Sequence, residues 1–247
     1  QGRDLLLLSG KHNHRSSSAE AVPDGFILYG SPNNPEQLER IFRQQKPMIT
    51  VDCNIAGLPS VNINNLSTAQ LSAEHAFKRM PGKIAVLGLR LIESDRVCRI
   101  QPHELYGTEQ SVSRRRLEGY LAAAKANGRE LPAEAIWQIP VNQHDLAMMA
   151  AREALQQAER PKVLLCMSDV IALAAMMVAR ELSIRIPEDL VVVGFDGIDE
   201  GERSVPSLTT IHQYSAEKGR VAASRLLAGD LSGDTELACD LVVRGSC

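Results

Sequence analysis

The sequence predicts an α/β fold in which a parallel sheet is covered by helices on both faces. Three observations carry this. Short apolar runs recur along the chain. Segments with helical spacing of apolar residues fill the gaps between them. Cap residues stand at the ends of those segments. Strictly alternating strand and helix requires parallel neighbours joined by crossovers.

Leu5–Leu8, Phe26–Tyr29, Met48–Val51, Ile84–Leu87, Val163–Cys166 and Leu190–Phe195 read as buried strands. Between them, Glu36–Gln44, Leu66–Arg79, Arg114–Ala126, Leu146–Ala158 and Val170–Leu182 read as amphipathic helices. Asp145 precedes one helix, Ser168-Asp169 another, and Asn127-Gly128 stops a third. Two regions break the rhythm. Gly10 to Pro23 is polar and lacks the expected helical pattern, and Arg90 to Val112 is a long loop without periodicity. Long loops in compact domains tend to be functional or mobile.

A length of 247 residues suits two lobes with ample core. The net charge of -3 provides no global basic field for nucleic acid, so any DNA contact belongs to another segment. Five scattered cysteines, with no C-x-x-C, indicate reduced cytoplasmic thiols rather than disulfides or a zinc site. No apolar run reaches the roughly 18–20 residues of a membrane span. Gly88 is a lone glycine after a strand, without G-x-G-x-x-G or a P-loop, so no nucleotide cofactor is expected. No nucleophile–base–orienter set and no recognisable carboxylate pair appear, which argues against an enzyme.

The stretch "IRIPEDLVVVGFDGIDE" holds the most information. In open parallel sheets, ligands sit beyond the carboxyl ends of the strands. Asp196 ends an apolar strand at that place, and Gly197 permits a sharp turn or a close approach. A carboxylate accepts hydrogen bonds from two neighbouring hydroxyls, as in sugars. On spacing alone, a turn cap remains the competing reading.

The segments "SDVIAL", "IPEDLVVVGFD", "LTTIHQ" and "LVVRGS" resemble the C-terminal signature of the LacI/GalR family of transcription regulators. Upstream, "VNINN", "AEHAFK", "KIAVLG" and "RRRLEGY" follow in the family's order. The resemblance covers nearly the whole chain from Leu5 to Cys247. It implies a two-lobed periplasmic-binding-protein-like fold, each lobe a parallel sheet flanked by helices. The N-terminal lobe is expected from 1–63 and 214–238, and the C-terminal lobe from 64–213 and 239–247. The family's first sensor strand and helix have no counterpart here, and its second helix falls on the polar Gly10–Pro23 segment.

The resemblance also implies function. A small-molecule effector, sugar-like or a purine, is expected between the lobes, with no cofactor and no metal. The expected partners are a second copy in a homodimer and operator DNA, reached through a helix-turn-helix headpiece absent from this chain. A periplasmic sugar-binding protein of a transporter is the alternative. Asp196 and Arg116 match effector-binding positions. Three arginines at a helix start oppose the positive end of the helix dipole, so Arg116 has little local reason to be there. Its guanidinium offers five fixed donors. Asp52 ends the strand "MITVD", and Asn64 and Gln213 stand near the expected crossovers. Ser168 matches a polar effector contact, with Asp169 as the helix N-cap and Arg114 and Arg115 as solvated surface. Val141 falls roughly where many relatives place a stacking aromatic, and Trp137 reads as core. His12-x-His14 reads as a solvated pair, and Met176–Met177 as core or subunit interface.

Overall fold

The computed structural model describes residues 4–7, 23–30, 35–106 and 111–247. The chain forms two compact units. Unit 1 is drawn from Gln1–Asn62 and Ala216–Leu237, and unit 2 from Ile63–Ser215 and Ala238–Cys247.

Unit 1 is built on strands β1 (Phe26–Tyr29), β2 (Met48–Val51), β3 (Ser60–Ile63) and β10 (Thr235–Leu237), in the order β1-β2-β3-β10. β1, β2 and β3 are parallel, with Phe26 opposite Met48 and Thr50 opposite Ser60. Every residue of β2 is buried, as a central parallel strand requires. Helices α1 (Pro35–Phe42) and α7 (Ser215–Ala228) accompany the sheet. Ile49, Val51, Val61 and Ala222 form the core.

Unit 2 carries a seven-stranded sheet in the order β11-β9-β8-β7-β4-β6-β5. Its five central strands are β4 (Ile84–Leu89), β6 (Ile136–Ile139), β7 (Val163–Cys166), β8 (Val191–Asp196) and β9 (Thr209–His212), all parallel. Antiparallel strands β5 (Cys98–Arg99) and β11 (Asp240–Val242) line the two edges. Two helix pairs pack against the sheet. In one, α4 (His144–Leu155) and α5 (Asp169–Glu181) approach through Ala147, Ala150, Ala151, Ala172 and Ala175, over Leu87, Trp137, Leu164, Cys166 and Val192. The period of two in a strand turns Val86, Ile136 and Leu165 to the opposite face. The other pair is α2 (Asn65–Arg79) and α3 (Val112–Ala126). A Cβ at Gly119 would lie 2.3 Å from the Leu66 carbonyl oxygen, so only glycine permits this α2–α3 approach.

Several boundaries differ from the sequence reading. Leu5, Leu6 and Leu7 form no strand and are exposed, and Leu8 lies outside the described residues. An apolar run becomes a strand only when its backbone groups pair, and among the described residues β1 pairs with β2 alone. Gly10 to Val22, with His12 and His14, also lies outside the described residues. α4 begins one residue before Asp145, so Asp145 sits in the first turn rather than capping it. Its charge there meets the positive end of the helix dipole. Between β4 and α3 the long loop contains β5 and a 3-10 turn at Pro102–Glu104. Strands β3, β6 and β9 are not among the expected strands because they are short and interrupted by polar residues such as Asn62, Gln138 and Thr210.

Candidate functional site

β8 is buried along its length until Asp196, whose side chain is 22 % exposed. Asp196 has φ 137° and Gly197 has φ 79°, so the chain leaves the strand through left-handed backbone. A Cβ at Gly197 would lie 2.2 Å from His212 Nδ1, which restricts the position to glycine. This turn holds the Asp196 carboxylate at the carboxyl edge of the sheet. Gln213 Nε2 donates to Asp196 Oδ1 at 2.6 Å, and the Gln213 backbone N–H donates to the Asp196 carbonyl.

Arg116, at the start of the second turn of α3, is buried beside it. Its Nε donates to Asn65 Oδ1 at 2.9 Å, and one terminal nitrogen donates to the Met167 carbonyl at 2.7 Å. The same nitrogen stands 3.8 Å from Asp196 Oδ1. The guanidinium carbon lies 3.6 Å from the centroid of Phe195. Three neighbours from α2, β8 and the end of β7 thus fix one planar fork against one carboxylate. Arg116, Asp196 and Gln213 come together as expected positions; Asn65, Phe195 and the Met167 carbonyl join them from outside the set that the sequence singles out. The doubled asparagine of "VNINN" is the available signal for Asn65.

The remaining candidates have separate duties. Asn64 caps α2, its Oδ1 accepting from the Ser67 N–H at 3.0 Å. Ser168 caps α5 by accepting from the Ile171 N–H, and its hydroxyl donates to Asn142 Oδ1 at 2.7 Å. Asp169 is therefore not the cap. It is fully buried and accepts from the N–H groups of Gly197 and Ile198 and from Thr210 Oγ1. Burial raises its pKa against the lowering influence of those bonds. It ties the turn after β8 to β9. Asp52 directly follows β2 in unit 1 with φ 55°, and both carboxylate oxygens accept from Lys218 Nζ at 2.7 Å. Lys218, on α7, is fully buried.

Arg114 is not solvated surface. It is 5 % exposed and donates to the carbonyls of Leu91, Glu104 and Leu105. Trp137 is core, with the Arg99 guanidinium 4.9 Å from its ring. Val141 lies half-buried in the turn after β6. Met176 packs in the core, whereas Met177 is half exposed with its sulfur 3.1 Å from His144 Nε2. Among the described residues, no cluster of three or more His, Cys, Asp or Glu is arranged to hold a metal, and no helix is long and apolar enough to cross a membrane.

Residues 103–247 match the family model described as a periplasmic binding protein-like domain. The chain belongs to this family. An HTH-type transcriptional regulator of Mycolicibacterium smegmatis is 28 % identical over 237 residues, covering 91 % of this chain and 64 % of that protein. The HTH-type transcriptional repressor CytR of Escherichia coli K12 is 29 % identical over 236 residues, covering 90 % of this chain and 62 % of that protein. The chain thus spans less than two-thirds of the length of these two curated relatives. A LacI-type transcription regulator from Bifidobacterium animalis subsp. lactis has the same fold, with a TM-score of 0.75 at 22 % identity over 90 % of this chain and 79 % of that one. Both of these curated relatives are named as HTH-type transcriptional regulators or repressors.

Proposed function

We propose that this LacI/GalR-type domain senses a sugar or sugar derivative for a cytoplasmic repressor. The cluster of Asp196, Arg116 and Gln213 at the carboxyl edge of the unit 2 sheet carries the reading. Asp196 supplies an acceptor and Arg116 a set of donors, the pairing that two neighbouring hydroxyls require. Asp196 is exposed enough to be reached, and Arg116 is held too firmly to rearrange on binding, which limits the entropy cost of association. Ser168, with Asn142, and Asn64 lie at helix starts of the same unit and add polar contacts. Asp52 is the corresponding candidate of unit 1.

The domain acts as a two-state switch in a homodimer. The effector favours one state, and a helix-turn-helix headpiece of the whole regulator reads the change as altered affinity for a palindromic operator. About 1–3 kcal/mol of coupling is the ordinary scale for such a switch. A thermal-melting panel of sugars, sugar acids, phosphosugars and purines tests the ligand class. A ligand at 100 times its dissociation constant adds about 2.7 kcal/mol. A purine as the sole stabiliser would overturn the sugar assignment and keep the sensor.

A further inference from the structure

Among the described residues, the buried guanidinium of Arg114 donates to carbonyl oxygens alone. One terminal nitrogen donates to Glu104 at 3.1 Å and Leu105 at 3.0 Å, and the other donates to Leu91 at 3.2 Å. Its Nε is buried without a hydrogen-bond partner. A charge so placed, near the positive end of α3, is expensive for the fold, and the chain has another means of holding the same segment. Gln138, fully buried on β6, accepts from the Leu91 N–H at 2.6 Å and donates to the Ile92 carbonyl at 3.3 Å.

These bonds share a geometry. Leu91 opens the long excursion between β4 and α3, and Glu104–Leu105 lie near its end. One guanidinium therefore joins the start of the excursion to its finish. The excursion departs from the carboxyl edge of β4, where the Leu89 N–H meets the Met167 sulfur at 3.4 Å, and the Met167 carbonyl is an anchor of Arg116. Leu91 is packed so closely over Gly88 that a Cβ there would lie 2.3 Å from Leu91 Cδ1.

We infer that Arg114 is a positioning residue that clamps the Leu91–Leu105 excursion into a fixed rim beside the effector site. The excursion shapes the site by its composition and does not act as a lid. This rests on the proposed sensor reading for its consequence, whereas its test needs no ligand and is independent of that reading's success.

The test is hydrogen–deuterium exchange on the ligand-free chain, comparing Arg114→Met, Arg114→Lys and Gln138→Leu with the parent. Arg114→Lys guards against a misfolded methionine variant, because one ammonium cannot span both ends of the excursion. Both Arg114 variants are expected to raise exchange across residues 91–105 at least tenfold, while peptides of α4 and α5 keep the parent's rates. Gln138→Leu is expected to release residues 91 and 92 without releasing 104 and 105. A uniform rise over the whole of unit 2 would reduce Arg114 to a general stabiliser and overturn the inference. So would an excursion already exchanging at the unprotected rate in the parent.

Discussion

Lys218→Met is expected to destabilise unit 1 strongly, and Asp52→Asn in addition is expected to restore most of the loss. Lys218 has no exposed surface, and the Asp52 side chain is 13 % exposed. Two charge-assisted bonds of 2.7 Å join them. Methionine keeps most of the apolar stem, so the cavity contribution is small. What remains is a carboxylate stranded near the core. Removing one partner of a buried pair costs about 3–5 kcal/mol. Because Asp52 retains some access to water, the low end, about 3 kcal/mol, applies. Asparagine tolerates the left-handed backbone at φ 55° and carries no charge. The Asp52→Asn, Lys218→Met double variant is therefore expected within about 1 kcal/mol of the parent, the scale of one ordinary hydrogen bond. Urea unfolding followed by circular dichroism reads both units. The only tryptophan, Trp137, lies in unit 2, so its fluorescence separates the two contributions. A single variant within about 0.5 kcal/mol of the parent, the usual range of a surface substitution, would refute the reasoning. A double variant no more stable than Lys218→Met would refute it equally.

Gly197→Ala should lower the melting temperature of unit 2 by several degrees, because the Cβ would meet both the ring and the Cα of His212. An unchanged melt, within the error of the measurement, would contradict the turn geometry. Thiol chemistry should divide the cysteines by burial. Burial raises the pKa of Cys53 and Cys166, and pushes that of Cys247 up to about 11, so these three thiols are protonated and shielded near neutral pH. Iodoacetamide labelling read by mass spectrometry should modify the half-buried Cys98 and Cys239 first, and the other three only after denaturation. Early labelling of Cys166 would contradict the packing of β7.

Strands β4, β7 and β8 of unit 2 were legible because a strand buried on both faces writes an uninterrupted apolar run, as in Val163–Cys166. Helices α2 to α5 were legible from their spacing, and the stop of α3 from Asn127-Gly128, whereas the caps read at Asp145 and Asp169 lie one residue from the true ones or further. β6 and β9 were not, because Gln138, Thr209 and Thr210 are buried polar residues whose partners lie far away in sequence: Gln138 bonds across to Leu91, and Thr210 to Asp169. The same reason hid half of the site. Asp196 and Gly197 announce themselves locally at the end of a run. Arg114 does not, since a run of three arginines reads as solvated until the distant carbonyls that bury it are known. Asp52 illustrates the converse: its position at a strand end was legible, whereas its bond to Lys218, on a segment far along the chain, was not.

Isothermal calorimetry of the strongest stabiliser from the panel, with the parent and Asp196→Asn, tests the central claim most directly. Asparagine keeps the shape and the Gln213 contact while removing the charge that faces Arg116. The account predicts binding weakened at least tenfold, about 1.4 kcal/mol, with the melting temperature of the ligand-free variant within a few degrees of the parent. Unchanged affinity would remove Asp196 from the site and with it the assignment of the effector to the carboxyl edge of this sheet.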